Sequence, residues 1–255
     1  RRKEIIKQRE NDPNFFDGDK LGVEAVEILD GEGRIYITPR TYSQVVASRS
    51  IEPNKISPID WMYTRLGNKR RGQLFVKNND SMVNPLTQGV LVVSNPQGSR
   101  TPLGELPVII TVRGAGVDHG EGLRHHLAGY GDLGKSFEDF NFDSYSALRS
   151  IGQELYEEAA LTPDDIVNVV PFAIVQDPFE LQIHYLAITR LDEPTIRDRL
   201  KSAKDRYESS QYDFVPLKEL GSYGRTHIFY PHSRPLVKEC LDEVIEGFEM
   251  MRAVR

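Results

Sequence analysis

The sequence predicts an α+β protein. Two observations carry this. Four segments rich in β-branched residues, 86–93, 108–112, 166–175 and 181–191, have the length and composition of strands. Between and after them lie helical stretches of 16 or more residues, 144–160, 193–209 and 236–252, with helical spacing or dense charge. Strands interrupted irregularly by helices are the pattern of an α+β chain.

The elements are read in order as follows. Segment 22–29 alternates at Val23, Glu24 and Ala25 before the pattern slips, and is expected as a half-buried strand. Asp30-Gly31-Glu32-Gly33 is a turn signal, and 34–38 is the returning strand. A helix is expected over 41–49, and Ser57-Pro58 opens another through Trp61 to Leu66. The polar run Asn78-Asn79-Asp80-Ser81 places a boundary near Pro85, dividing the chain into an N-terminal α+β region, 1–84, and a larger domain, 85–255. In the larger domain a Pro- and Gly-rich loop, 95–104, separates the first two strands, and a Gly- and His-rich stretch, 114–134, follows them. Asp143 or Ser144 caps the next helix, which Thr162-Pro163 ends. A short extended piece is expected at 214–217, and an amphipathic helix closes the chain.

Bulk composition narrows the function. With 39% apolar and 27% charged residues, the 255-residue chain is expected to be globular and soluble. A net charge of −6 speaks against general nucleic-acid binding, which needs clustered Lys and Arg. A single cysteine, Cys240, forms no internal disulfide and points to a cytoplasmic setting, where it is a packed apolar side chain. No apolar run is expected to span a membrane, and Arg1-Arg2-Lys3-Glu4, followed by few apolar residues, is not expected to belong to a signal peptide.

The chemistry concentrates at Glu154, Glu157 and Glu158. At i, i+3 and i+4 on a helix these carboxylates share one face. Grouping like charges costs helix stability unless solvent or a cation offsets it, and hard cations such as Mg²⁺ take several oxygen ligands. A solvated acidic face accounts for the spacing equally well.

The surrounding residues discriminate. Gln153-Glu154-Leu155-Tyr156-Glu157-Glu158-Ala159-Ala160-Leu161 resembles the core of the Nudix box, R-E-U-x-E-E-x-G-U with U aliphatic. Gln153 stands for the Arg and Ala160 for the late Gly; the upstream Gly and Glu are matched by Gly131 and Glu138, with 139–143 inserted before the helix. Val108 to Arg113 is similar to the family's strand ending in Arg, Leu127-Ala128-Gly129-Tyr130 to its L-P-G-G segment, and Phe214 to Leu220 to its W-x-P-L-x-E-L piece. The resemblance covers the chain from Pro85 onward. Asn14-Phe15-Phe16-Asp17-Gly18 and Arg40-Thr41-Tyr42-Ser43 are similar to the segment preceding the Nudix domain in animal UDP-sugar-hydrolysing members.

The resemblance implies a mixed sheet sandwiched between helices and hydrolysis of a nucleoside diphosphate linked to another group, UDP-sugar first and ADP-ribose-like compounds second. It implies Mg²⁺, with Mn²⁺ as an alternative ion, held by Glu154, Glu157 and Glu158. Glu138 or Glu208 is expected to assist as ligand or base, and Arg113 and Gly129 to contact substrate. The expected partner is a small molecule, with neither nucleic acid nor membrane. The rival from another class is a Nudix-fold nucleotide-binding or regulatory protein without turnover.

Gly129-Tyr130-Gly131-Asp132-Leu133-Gly134-Lys135-Ser136 also satisfies the P-loop pattern G-x-x-x-x-G-K-S. A P-loop follows a buried apolar strand and opens a helix, whereas here Leu123-Arg124-His125-His126 precedes and Phe137-Glu138-Asp139-Phe140 follows. His125 and His126 are expected on opposite sides of an extended chain, and His184 in the core.

Overall fold

A computed structural model describes residues 19–29, 32–49, 73–74, 85–96, 99–115, 121–130, 144–176, 180–229 and 245. The chain divides into two compact units: 1–87 with 130–142 and 175–182, and 88–129 with 143–174 and 183–255. The expected helices at 57–66 and 236–252 (apart from Ile245), the upstream box residues Gly131 and Glu138, the P-loop pattern beyond Tyr130, Trp61 and Cys240 all lie outside the described residues.

The first unit holds an antiparallel hairpin, β1 (Asp19–Leu29) and β2 (Glu32–Thr41), with β3 (Gln73–Leu74) on the other edge of β1. The register shifts between Val23 and Ala25, within the three residues expected to alternate. Helix α1 (Tyr42–Arg49) begins in a capping box. The Gln44 amide donates to Thr41 Oγ1 at 3.3 Å, and the Thr41 amide to Gln44 Oε1 at 3.0 Å.

Most of the larger sheet lies in the second unit. Its strands are β4 (Leu86–Ser94), β5 (Pro107–Arg113), β6 (Arg124–His125), β7 (Leu127–Tyr130), β8 (Ile166–Gln176), β9 (Leu181–Thr189) and β10 (Ser209–Pro216). The order is β10-β5-β4-β9-β8, with β6 on β5 and β7 on β4. β5 is antiparallel to β10 and β4. β4 and β9 run parallel, because the Leu181 amide meets the Pro85 carbonyl at one end and the Asn95 amide meets the Thr189 carbonyl at the other. The sheet is therefore mixed, as expected.

All nine residues of β4 and all nine of β9 are buried. Val90, Leu91, Val92 and Val93 in β4 and Ile183, Leu186 and Ile188 in β9 made these strands legible in the sequence, although Thr87, Gln88, Gln182 and His184 are buried with them. One face packs Leu91 and Val93 of β4, Val108 and Ile110 of β5, Leu186 and Ile188 of β9 and Val215 of β10 against Leu217, Leu220 and Phe229. Fully burying each such side chain contributes about 1.5–3 kcal/mol.

The helices of this unit are α2 (Ser144–Ala159), α3 (Glu193–Ser202) and α4 (Leu220–Thr226). In α2, Ile151, Leu155 and Ala159 are buried while Gln153 and Tyr156 are exposed, a stripe of helical period. Its end is unusual. Ala160 sits at φ 51, the left-handed conformation that glycine normally supplies, and its amide closes on the Tyr156 carbonyl while that of Leu161 closes on Leu155. The Asp192 side chain caps α3 by accepting from the Thr195 amide.

The helix expected over 193–209 ends at Ser202. Ala203 is extended, Arg206–Glu208 is a single 3-10 turn, and β10 starts at Ser209, earlier than the short piece expected at 214–217. Local charge reads as helix, but tertiary pairing wins: the Gly114 amide binds the Glu208 carbonyl at 2.7 Å and Ser209 pairs with Arg113. Among the described residues no helix is long and apolar enough to cross a membrane.

Candidate functional site

Three elements of the second unit bring the carboxylates together. The last two turns of α2 present Glu154, Glu157 and Glu158. Strand β7 runs past them with its backbone: the Ala128 amide donates to Glu158 Oε2 at 3.3 Å. At Gly129 the approach is closer still. A β-carbon built there would stand 2.0 Å from Glu154 Cδ and Oε1, so the carboxylate occupies a space that only glycine leaves.

The third element is the 203–208 connector. The Asp205 amide donates to the Glu157 carbonyl at 2.8 Å, tying it to α2. At its other end Gly114 allows a tight backbone approach, since a β-carbon there would lie 2.8 Å from the Tyr207 carbonyl oxygen. Glu208 is thereby held beside Arg113 at the end of β5.

The electrostatics follow from this crowding. Burial holds the Glu158 carboxyl well above the usual carboxylate range; Glu154 and then Glu208 push it further, while the Ala128 amide and Arg113 oppose them. Burial also raises Glu208, with Asp205 adding and Arg113 and the Tyr207 hydroxyl opposing. Asp205 is raised by burial, against the pull of Lys204. Glu157 is placed differently: its carboxylate pairs with the Lys204 ammonium, and that bond raises Lys204.

Glu154, Glu158, Glu208, Arg113 and Gly129 thus lie in one neighbourhood, as do Glu157 and Lys204 at its edge. Glu138 is outside the described residues. Sequence reasoning missed Lys204, Asp205 and the Ala128 amide, whose contacts with α2 bridge 30 to 48 positions and leave no local signal.

The donor set suits a hard divalent cation: it is all oxygen, partly desolvated and short of positive charge. Among the described residues, however, no group of three His, Cys, Asp or Glu side chains is arranged to hold a metal ion. Magnesium keeps several waters and needs only one or two carboxylates, so Glu154 and Glu158 with Glu208 nearby suffice in kind.

The histidines are a separate feature. His125 and His126 stack at 4.6 Å with 14° between rings, contrary to the opposite orientation expected of adjacent strand residues. The chain passes from β6 to β7 at His126, which breaks the alternation. His126 also lies 4.8 Å from His184, which is fully buried as expected, and Gly89 leaves room for both rings.

No family model matches the chain, and no curated protein matches it. Solved structures do. A mutT/nudix family protein from Listeria innocua is 18% identical at TM-score 0.43, with 68% of this chain and 99% of that one covered. A NUDIX hydrolase from Alicyclobacillus acidocaldarius is 8% identical at TM-score 0.44, covering 61% and 90%. The MutT protein from Methanosarcina mazei Go1 is 11% identical at TM-score 0.38, covering 65% and 96%. All three are MutT or Nudix proteins. At these TM-scores the likeness carries no weight for the chemistry, which rests on the side chains described above.

Proposed function

We propose that this chain is a Nudix-type, divalent-metal-dependent pyrophosphohydrolase acting on a nucleoside diphosphate joined to another group, UDP-sugar first and ADP-ribose-like compounds second. The observation that carries the reading is the crowding of Glu154, Glu158 and Glu208 around one desolvated region, with Glu154 in the space left by Gly129. Burying like charges is costly unless a proton or cation accompanies them.

Glu154 and Glu158, joined by Glu157 once it leaves Lys204, would hold Mg²⁺ or Mn²⁺. The metal would supply neutralisation of the diphosphate and a polarised water. Arg113 is the protein's own cation for a substrate phosphate. Glu208, raised above the ordinary carboxylate range first by burial, is a stronger proton acceptor than an exposed carboxylate, the character a general base needs. The single cysteine and the composition suit a cytoplasmic setting.

The pairing of Glu157 with Lys204 favours a second reading, a nucleotide-binding or regulatory protein without turnover. A screen of nucleoside diphosphate derivatives with Mg²⁺, comparing wild type with Glu157→Gln, separates the two. Hydrolysis of one of them that the substitution removes supports the enzyme. Absence of turnover, or turnover the substitution leaves intact, sinks it.

A further inference from the structure

A cavity of about 540 Å³ opens beside α3, lined by Arg197, Leu200, Lys201, Arg206, Tyr207 and Tyr212. None of these is among the carboxylates or their neighbour Arg113. The volume falls within the roughly 300–1,000 Å³ of small-molecule sites. We propose that this cavity, which borders the carboxylate cluster where Tyr207 meets Glu208, binds a mononucleotide-like ligand, a flat ring joined to a phosphate, with no metal required on those carboxylates.

Its walls combine the two chemistries such a ligand needs. Arg197, Leu200 and Lys201 lie at i, i+3 and i+4 on α3 and so share a face. Leu200, 2% exposed, is the apolar backing. The Arg197 guanidinium is held 4.1 Å over the Phe214 ring and 2.7 Å from Glu193, and Lys201 pairs with Asp198 at 2.7 Å. Arg206 differs. Its Nη1 donates to the Lys201 carbonyl at 2.9 Å, and among the described residues no carboxylate lies within ion-pair distance of it. Of the three cations, Arg197 and Lys201 are each paired with a carboxylate, and Arg206 is the one with no carboxylate partner among the described residues. The remaining donors of the Arg206 fork match a phosphate.

The ring half has its own surface. Tyr207 is 60% exposed, a large aromatic face left open beside those cations. Aromatic rings flanked by guanidinium groups are stacking platforms for flat bases.

The test is calorimetric titration of the full chain with uridine 5′-monophosphate and adenosine 5′-monophosphate, and separately with inorganic phosphate, all in EDTA. Saturable nucleotide binding is expected, weakened about tenfold or more by Arg206→Ala. Tyr207→Leu is expected to weaken nucleotide but not phosphate. Arg206→Lys, which keeps the charge and loses the fork, is expected to weaken binding too and replaces the alanine variant if that does not fold. The proposal is overturned by absence of saturable binding at millimolar nucleotide, by binding indifferent to both Arg206 variants, or by phosphate binding as tightly as nucleotide with Tyr207→Leu silent. It is equally overturned if saturable binding appears only when Mg²⁺ replaces EDTA, which assigns the ligand to the carboxylate site.

Discussion

The Glu154 carboxylate fills the place where a β-carbon on Gly129 would stand, 2.0 Å from that point. The relationship joins the acidic helix to the strand beside it and sets up a substitution that separates folding from function. Gly129→Ala forces only the far end of a flexible side chain to move. The melting temperature is expected to shift by no more than about 2 °C. Turnover is expected to fall roughly 100-fold, because a ligand group displaced by an ångström or so misplaces the chemistry. Thermal unfolding and initial rates on the same preparation check both halves.

Ala160 holds a left-handed conformation at φ 51 to end α2. An L-residue there costs about 1–2 kcal/mol, partly offset by the lower backbone entropy of unfolded alanine relative to glycine. Ala160→Gly is therefore expected to raise unfolding free energy by about 0.5–1 kcal/mol in chemical denaturation. A loss of stability would show that the strain is not relieved by glycine.

The raised Glu158 carboxyl makes the metal-free protein pH-sensitive. For an acid raised on folding, the native state binds the extra proton. That contribution is complete below the ordinary carboxylate range and is lost as pH rises toward the folded value. Glu158→Gln removes the sensitive group. In EDTA the variant is expected to gain stability over wild type at about pH 8 and much less at about pH 5. Equal differences at both would contradict the assignment.

Much of this arrangement was legible from the sequence because it is local. The spacing of Glu154, Glu157 and Glu158 is fixed by one helix, and the β-branched and apolar residues of β4 and β9 mark them as strands. What was illegible depends on distant pairing. The 193–209 segment is charged like a helix, yet Gly114 and Arg113 pull its end into a turn and a strand. The stacking of His125 on His126 arises because the chain passes from β6 to β7 there.

Lys204 engages the Glu157 carboxylate from a half-exposed connector. An exposed ion pair contributes up to about 1 kcal/mol, so the fold does not depend on it. Lys204→Met is expected to leave the melting temperature nearly unchanged and to tighten Mn²⁺ binding by up to about fivefold, because Glu157 no longer has to part from an ammonium. Weaker metal binding in the variant would instead make Lys204 a support for Glu157.

The most direct test is the binding of Mn²⁺ itself, followed by electron paramagnetic resonance on wild type and on Glu154→Gln and Glu158→Gln, each checked for folding. The account predicts saturable binding by wild type that each substitution weakens at least about tenfold. Absence of Mn²⁺ binding by folded wild-type protein, or binding that both substitutions leave unchanged, would contradict it.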